Sequence, residues 1–418
     1  MIFAAFYRLA IAFYAAALHI AALFNPKAKL FINGRKGWRA SVKDKLASDG
    51  RPRIWMHCAS LGEFEQGRPV LETLRKKYPS HSLVLTFFSP SGYEVRKDYK
   101  GADHVFYLPF DTPRNAAYFL DIVKPQLCLF VKYELWYYFL KGIAKRQIPL
   151  LLISAIFRKD QLFFKWYGGL YRNMLRRFTH LFVQDETSEE LLQTIDSTHV
   201  TVSGDTRFDR VIEATQIITA QPLATAFAEG HKVLVAGSTW KEDEVFLNSV
   251  LKKLPEGWRI ILVPHEVDEA HIADITKLFA GNSTLWSQPQ VTESTKVLIV
   301  DEVGLLLQLY SYGRYAWIGG GFGKDGIHNV LEAAVYSIPC AYGPVYHQFL
   351  EAEQMVACGG AVIATTPEQY AAQLLLWQSN KDSYNQAALA AGRYVRSHGG
   401  ATEKITAYID ESVLLSAV

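Results

Sequence analysis

Short apolar runs of strand length recur along the first half of the chain, and segments with one polar face separate them. The runs lie at residues 54–57, 83–87, 104–108, 127–131, 150–154 and 180–183. Between the first two, residues 69–75 place apolar side chains at helical spacing. Strands that alternate with helices pair in parallel, and the helices cover both faces of the sheet. The pattern therefore predicts a doubly wound α/β domain, which we place at residues 46–205.

A second series of the same kind follows after a break. Its strands are predicted at residues 232–237, 259–264, 297–300 and 315–318 and near Cys340, with late helices at 367–378 and 384–395. No strand is predicted around 200–230, so we place a linker at 206–230 and a second domain at 231–418, whose last helices are candidates to cross back. Two parallel-sheet domains of this kind are expected to face a ligand cleft at the carboxyl ends of their strands.

The N-terminal stretch is more apolar than any other. Residues 1–24 contain only Arg8 and His19 as strongly polar side chains, and this length reaches across a bilayer as a helix. Pro26 ends the stretch, and a cluster of lysines and arginines follows. Positive charge after the apolar segment predicts an anchor at residues 1–25 that is retained at the inner membrane, with the rest of the chain on the cytoplasmic side. A helix lying flat on the membrane, or packed on the protein itself, remains the alternative.

Composition adds two restrictions. The 418 residues carry a net charge of +3, which is too small to indicate a nucleic-acid partner. Cations alternate with aromatic residues between 157 and 178, at Arg158, Lys159, Arg172, Arg176 and Arg177. Such a run is suited to a membrane surface or to an anionic, acylated ligand. A helix with one buried aromatic side and one solvated basic side explains it almost as well.

A glycine-rich turn is the strongest candidate for nucleotide binding. Gly319, Gly320 and Gly321 follow the predicted strand at 315–318, and a helix is expected to open at or just before Asn329. Glycines let a backbone approach an anion, and a helix start offers free N–H groups. Glu332 is on the same helical face as Asn329 and is able to accept from ribose hydroxyls. The alternative is a tight turn that Asn329 merely caps.

Other strand ends of the second domain carry small or titratable groups. Ser238 and Thr239 follow its first strand, where hydroxyls are able to donate to phosphate, and His265 ends the next strand and offers an imidazole to a base or phosphate. Neither an H-E-x-x-H pattern nor an Asp-x-Asp pattern occurs. We therefore predict no metal site and no cofactor.

Two carboxylates follow strands of the first domain. Glu63 comes directly after the strand at 54–57, and Glu134 follows the strand at 127–131. The carboxyl ends of parallel strands meet at one edge of a sheet, so a general base and a second acid or positioning group are predicted there. The alternative for Glu63 is a carboxylate that only complements the dipole of its own helix.

These segments together resemble one family, the 3-deoxy-D-manno-octulosonic acid (Kdo) transferases of lipopolysaccharide synthesis, and the likeness covers nearly the whole chain. The segments are His57-x-Ala59-Ser60-Leu61-Gly62-Glu63, Glu134-Leu135-Trp136, Gly204-Asp205-Thr206-Arg207-Phe208-Asp209, Gly237-Ser238-Thr239 and Gly326-Ile327-His328-Asn329-Val330-Leu331-Glu332. The family's pattern departs at His265, which stands with Glu266 where an arginine and histidine pair is usual.

The resemblance implies a GT-B fold and a metal-independent, inverting glycosyltransferase of lipid A assembly. Its donor would be CMP-Kdo, held by the C-terminal domain, and its acceptor a lipid A precursor approached from the inner leaflet. By motif, Glu63 would be the base, and the hydroxyl, glycine, Asn329 and Glu332 positions would hold CMP. The alternative is another GT-B-type enzyme, a transferase or epimerase that uses a UDP-sugar.

Overall fold

The computed structural model describes residues 2–216, 219–412 and 414. It divides into two compact units, Met1–Asp209 with Gly400–Val418, and Arg210–Gly399. Each unit is built on one seven-stranded sheet in which every recorded strand pair is parallel. The predicted fold class of two parallel α/β units is therefore confirmed.

The first sheet has the strand order β3-β2-β1-β4-β5-β6-β7. Its strands are β1 (Arg53–Cys58), β2 (Ser82–Phe87), β3 (His104–Tyr107), β4 (Pro125–Val131), β5 (Leu150–Ala155), β6 (His180–Val183) and β7 (Val200–Val202). Its helices are α1 (Ile2–Ala21), α2 (Pro26–Asn33), α3 (Trp38–Ala47), α4 (Leu61–Lys77), α5 (Pro90–Arg96), α6 (Pro113–Val123), α7 (Tyr137–Lys145), α8 (Gly169–Leu175) and α9 (Glu186–Gln193). Alternate strand residues enter two separate apolar clusters, which shows that helices cover both faces.

Helix α10 (Thr206–Ala214) begins in the first unit and ends in the second, whose sheet has the order β10-β11-β9-β8-β12-β13-β14. The strands are β8 (Lys232–Thr239), β9 (Trp258–Pro264), β10 (Ser283–Leu285), β11 (Val297–Ile299), β12 (Tyr315–Ile318), β13 (Cys340–Tyr342) and β14 (Ala361–Ile363). The helices are α11 (Pro222–Ala228), α12 (Lys241–Leu251), α13 (Glu269–Leu278), α14 (Leu306–Leu309), α15 (Leu331–Ala334), α16 (Leu350–Ala357), α17 (Pro367–Ser379) and α18 (Lys381–Ser397).

The segment predicted as a linker contains regular structure. Residues 206–230 contain helices α10 and α11, and β7 lies just before them. β7 has only three residues, each half-buried at the edge of its sheet, so its apolar run is too short to stand out. The edge strands β10 and β14 are equally short and also escaped prediction.

The last helix, α19 (Ala401–Glu411), returns to the first unit. The carboxylate of Asp209 accepts the N–H of Gly400 at 2.5 Å and the N–H of Thr402 at 2.6 Å, which fixes the start of the helix. Ile405 and Ile409 are fully buried in the apolar cluster that lies under β1 and β2. The helix that returns to the first unit is therefore α19, which follows the two late helices predicted at 367–378 and 384–395.

The apolar helix α1 is attached to the first unit along one side. The Tyr7 hydroxyl donates to the Asp111 carboxylate at 2.6 Å, and the Tyr138 hydroxyl donates to the main-chain oxygen of Ala4 at 3.2 Å. Residues 4–21 are long and apolar enough to cross a membrane by length and composition, and none of this window is buried in the protein. The helix is therefore held by a narrow stripe of side chains while most of its surface stays exposed.

Candidate active site

In each sheet the chain adds strands first on one side of its first strand and then on the other, so the strand order reverses at one point. The predicted catalytic residues lie near this reversal in the first sheet. In the first sheet the connections from β1 run outward through β2 and β3, and then return to β4 on the other side of β1. Glu63 follows β1 and Glu134 follows β4. Ligands of open α/β sheets bind outside the carboxyl ends of the strands at such a reversal. The two carboxylates thus occupy the position that the fold favours for a site.

Glu63 is in the first turn of α4 and is half-buried. The Ser60 hydroxyl caps this helix by accepting the N–H of Glu63, and the Glu63 carboxylate accepts the N–H of Ala59. Burial, followed by the charge of Glu134, raises the pKa of Glu63 to about 8, against the smaller opposing effect of Lys132. Glu63 does contact its own helix start, but its environment also gives it the basicity that a general base needs near neutral pH.

Glu134 contacts two rings that also contact each other, since the indole N–H of Trp136 lies 3.1 Å from His57 Nε2. Its Oε2 atom lies 2.9 Å from His57 Nε2 and accepts the indole N–H of Trp136 at 2.7 Å. The other ring nitrogen of His57 lies 2.8 Å from the hydroxyl of Thr86, which also accepts the indole N–H of Trp55 at 2.8 Å. His57 Nδ1 also lies 3.2 Å from the main-chain oxygen of Thr86, so the contacts of the ring are compatible with a proton on either nitrogen.

Both carboxylates are recognisable in the sequence, but the rings that contact Glu134 are not. His57 is fully buried on β1, and the signal for it was a histidine inside an otherwise apolar strand. Trp136 is two residues after Glu134 and follows no periodic pattern. Both contacts depend on the pairing of β1 with β4, which the sequence does not reveal.

The second sheet reverses between β8 and β12, and the glycine turn follows β12. A Cβ atom at Gly319 would overlap the main chain of Ser238, and one at Gly321 would lie 2.5 Å from the nitrogen of Gly343. Gly320 has a φ of +92°. These glycines are required because three backbone segments meet closely at the carboxyl ends of the strands. Their main role in the structure is this close approach.

A buried carboxylate beneath the turn binds part of it. Asp243 accepts the N–H of Gly320 at 2.8 Å, the N–H of Trp240 at 3.0 Å and the indole N–H of Trp317 at 3.0 Å. Burial raises the pKa of Asp243, while these donors oppose the shift. The N–H of Gly319 donates to the main-chain oxygen of Gly237 at 2.9 Å. The N–H groups of Gly319 and Gly320 are thus bonded within the protein.

The two hydroxyls after β8 differ in their surroundings. Thr239 is fully buried and donates to the carboxylate of Glu244 at 3.1 Å, so its hydroxyl connects the end of β8 to α12. Ser238 is half-buried and has a φ of +52°, a conformation that non-glycine residues seldom adopt. Strained backbone of this kind concentrates at functional sites. Of the two predicted phosphate donors, the geometry favours Ser238.

His265 is one layer of a ring stack that the sequence did not predict. Its ring lies 4.2 Å from the ring of His328 and 4.8 Å from the ring of Trp240, in near-parallel planes. The indole N–H of Trp240 donates to His328 Nε2 at 2.9 Å, and burial followed by the charge of His265 lowers the pKa of His328 to about 4. His328 is therefore uncharged at neutral pH, and the exposed His265 presents a flat face suited to a base.

The helix after the glycine turn is shorter than predicted. α15 covers only Leu331–Ala334 and begins after Asn329. The Asn329 side chain accepts the N–H of Leu331 at 3.1 Å and donates to the Glu332 carboxylate at 3.2 Å. The structure brings the amide and the carboxylate together, but Asn329 also caps the single helical turn. A helix of one turn has too small a dipole to act as the predicted phosphate site by itself.

The basic run of the first unit divides into two groups. The guanidinium of Arg172 donates to two main-chain carbonyls of the loop before α8, and Arg177 donates to the main chain of Tyr137 and covers its ring. These two arginines therefore stabilise the loop instead of facing a ligand. Exposed cations are Arg158, Lys159 and Arg176. Trp166, in the same run, is 90% exposed, which is unusual for so large an apolar side chain.

Two doubly wound units, each with candidate site residues at its strand-order reversal, define a GT-B-like fold. The fold is similar to that of a UDP-GlcNAc 2-epimerase from Neisseria meningitidis bound to UDP-GlcNAc, with a TM-score of 0.60 and 15% identity over 86% of this chain and 100% of that one. It is also similar to a glycosyltransferase from Rickettsia africae, with a TM-score of 0.55 and 11% identity over 88% and 100% of the two chains. These likenesses concern the fold.

Sequence comparison gives the same resemblance as the motifs. Residues 33–210 match the family model described as 3-deoxy-D-manno-octulosonic-acid transferase. The transferase of that name from Haemophilus influenzae is 27% identical over 72% of this chain and 73% of its own length, and that from Aquifex aeolicus is 27% identical over 74% and 80%. That from Bordetella pertussis is 26% identical over 89% and 88%. The chain is thus similar in sequence to Kdo transferases over most of its length, which agrees with the resemblance inferred from its motifs.

Proposed function

We propose that this protein transfers Kdo from CMP-Kdo to a hydroxyl of a lipid A precursor in lipopolysaccharide synthesis, with inversion at the anomeric carbon and without a metal or cofactor. The observation that carries the proposal is the carboxyl pair of Glu63 and Glu134 at the strand-order reversal of the first sheet. The similarity to Kdo transferases supports the class of reaction.

The mechanism is a single displacement. The acceptor hydroxyl gives its proton to Glu63 as its oxygen bonds to the anomeric carbon, and the bond from that carbon to the phosphate of CMP breaks with its electron pair. Because the oxygen attacks from the face opposite the leaving group, the configuration inverts. The base acts only in its ionised form. Because the pKa of Glu63 is raised to about 8, kcat is expected to increase with pH around that value.

In this proposal the second unit holds the cytidylate. The exposed ring of His265 provides a stacking surface for the base, and the linked side chains of Asn329 and Glu332 provide acceptors and a donor for the ribose. Ser238 donates to the departing phosphate, and the glycine turn lets the main chain approach it. Donors aimed at the charge that develops on the leaving group lower the barrier most effectively.

The first test of the function is the product. With CMP-Kdo and a tetra-acylated lipid A precursor, we expect the mass of the acceptor to rise by one or more Kdo residues. We also expect CMP to raise the Tm of the protein while UDP at the same concentration does not, because a ligand that binds the folded state stabilises it by about 2.7 kcal/mol at 100 times its Kd. Protection by UDP with no Kdo product would instead favour a UDP-sugar enzyme.

We further propose that α1 lies in the plane of the inner membrane at its cytoplasmic face. Its docking side chains Tyr7 and Tyr14 contact the first unit. The large exposed apolar residues Phe6, Leu9, Phe13 and Ile20 fall on the opposite side of the helix at helical spacing. A helix with one side on protein and the other side apolar and exposed is suited to the lipid interface, where nearby cations meet anionic head groups.

A charge within the exposed stripe of α1 should release the protein from membranes. We expect Phe13→Asp to weaken partitioning onto anionic vesicles by about 10- to 100-fold, since burial of such a side chain contributes roughly 1.5–3 kcal/mol. The matched control is Leu389→Asp, at a residue that is 57% exposed on α18 of the second unit. Vesicle co-sedimentation measures both. Unchanged binding of the Phe13 variant would contradict the in-plane placement.

A further inference from the structure

A closed circuit of hydrogen bonds joins the loop that follows β8 to the loop that carries His265. The main-chain oxygen of Thr239 accepts the N–H of His265 at 2.9 Å, and its hydroxyl donates to the Glu244 carboxylate at 3.1 Å. That carboxylate lies 3.0 Å from Nε2 of His271. Nδ1 of the same ring lies 2.9 Å from the main-chain oxygen of Glu266. Because Glu266 directly follows His265, the circuit returns to the residue where it began.

Both ring nitrogens of His271 face acceptors. A main-chain oxygen cannot donate, so the contact with Glu266 requires a proton on Nδ1. Nε2 lies 3.0 and 3.1 Å from the two carboxylate oxygens of Glu244, and a bare nitrogen there would face only lone pairs. A proton therefore lies in this contact as well, and it belongs to the imidazole, which is the stronger base of the two groups. The geometry thus requires a doubly protonated ring.

The pair of His271 and Glu244 is shielded from solvent. The side chain of Glu244 is 3% exposed and that of His271 is 16% exposed. Burial alone lowers the pKa of His271, but the charge of Glu244 and the contacts with Glu266 and Glu244 outweigh it, so the pKa is raised. Asp268, whose carboxylate caps the start of α13, adds a smaller effect in the same direction.

The other charged groups of the elements around His271 have different surroundings. Asp243, next to Glu244 on α12, accepts three N–H groups at the glycine turn. The remaining charged side chains of α12, α13 and the loop before α13 are exposed, at Lys241, Glu242, Glu266, Glu269, Asp274 and Lys277. Glu244 is thus the buried charge that His271 meets directly.

We propose that His271 is a positioning residue for the donor nucleotide, because its two N–H groups hold the loop of His265 where that ring stacks on the base. Loss of the proton between His271 and Glu244 opens the circuit and releases the loop. Cytidylate affinity then falls as pH rises, in proportion to the fraction of molecules that keep the loop in place. The inference rests on the proposed function for the identity of the ligand, whereas the link between the two loops is a property of the protein alone.

The first test is the pH dependence of CMP binding, measured by calorimetry between pH 7 and 9.5. The phosphate of CMP is already ionised there, since its second pKa is about 6. We expect the Kd of the wild-type protein to rise by about 5- to 30-fold over this range. In His271→Gln, which keeps one N–H group but has no proton to lose, the Kd should stay constant. A constant Kd in the wild type, or a pH dependence that persists in His271→Gln, would overturn the proposal.

A second test separates binding from chemistry. His271→Ala removes both donors, so KM for CMP-Kdo should rise by about 5- to 30-fold while kcat at saturating donor stays near the wild-type value. The matched control is His231→Ala. Nδ1 of His231 also lies close to a main-chain oxygen, that of Glu229 at 2.6 Å, but this residue precedes the amino end of β8. The control should keep the wild-type KM, and an unchanged KM in His271→Ala would contradict the positioning role.

A ligand-free measurement distinguishes the link from the reaction. In ring-nitrogen NMR spectra, both nitrogens of His271 should be protonated at pH 7, and the signals of His265 should shift in His271→Ala but not in His231→Ala. If the alanine variant fails to fold, His271→Gln carries the test, because it retains a donor to Glu244. A bare nitrogen on His271 at pH 7 would refute the inference. The expected ring signals without any binding of CMP would refute the proposed function and leave the link between the loops standing.

Discussion

Replacement of Glu63 by glutamine is expected to lower kcat for Kdo transfer by about 10²- to 10⁴-fold, which is the usual contribution of a general base. Glutamine has the same shape and retains an oxygen that can accept the N–H of Ala59, so the start of α4 is preserved. It cannot take a proton from the acceptor hydroxyl. Single-turnover rates at saturating CMP-Kdo and lipid acceptor measure the loss, because they exclude product release.

The control for this experiment is Glu94→Gln, at a carboxylate of α5 that is bonded to Lys97 at 3.2 Å and accepts the Tyr107 hydroxyl at 3.1 Å, and its rate should equal that of the wild type. CMP should raise the Tm of the Glu63 variant as much as that of the wild type, since the proposed cytidylate contacts lie in the second unit. A rate within tenfold of the wild type at pH 8 would refute the role of Glu63 as the base. Loss of CMP protection as well would point to a folding defect instead.

Glu63→Gln should raise the stability of the folded protein, although it lowers kcat. The folded-state pKa of Glu63 is about 8 against a usual value of 4.5, so between these two pH values the folded protein binds more protons than the unfolded chain. The free energy of unfolding therefore falls as pH rises through this window. Glu63→Gln removes this dependence and should be more stable than the wild type at pH 8. A site that weakens the fold in this way is consistent with selection for activity.

The sequence predicted the sheets well because most of their strands are buried on both faces. β1, β4, β8 and β9 read as continuous apolar runs, and the structure contains each of them within two residues of the expected bounds. The three-residue edge strands could not be recognised, since so short a run has no period. The order of the strands in each sheet could not be predicted either, because it depends on pairing between segments that are distant in sequence.

The site was predictable where a residue type is itself informative. A carboxylate directly after a strand and three consecutive glycines are visible in the sequence alone. The groups that support them are not, because Trp136, His57 and Asp243 are defined by contacts across the sheet or between loops. The environment of the glycine turn could not be predicted for the same reason, since the buried acceptor of the Gly320 N–H lies 77 positions away in sequence.

Replacement of Asp243 by alanine is expected to destabilise the second unit by about 3–5 kcal/mol, comparable to breaking other buried charged contacts. The carboxylate is 1% exposed and accepts three N–H groups, from Gly320, Trp240 and Trp317. Alanine leaves all three donors without their acceptor in a dry environment, and each such loss costs about 1–3 kcal/mol. The glycine turn then loses its attachment to α12, so the variant should also bind CMP more weakly.

Denaturant unfolding followed by tryptophan fluorescence measures this effect, because Trp240 and Trp317 both contact Asp243. The matched control is Asp274→Ala, at a carboxylate whose side chain is 68% exposed and 3.9 Å from Lys241, and its free energy of unfolding should change by less than about 0.5 kcal/mol. Asp243→Asn separates charge from shape, since it keeps one oxygen to accept and should fall between the wild type and the alanine variant. Equal stability of the Asp243 and Asp274 variants would show that the turn holds its conformation through glycine packing alone.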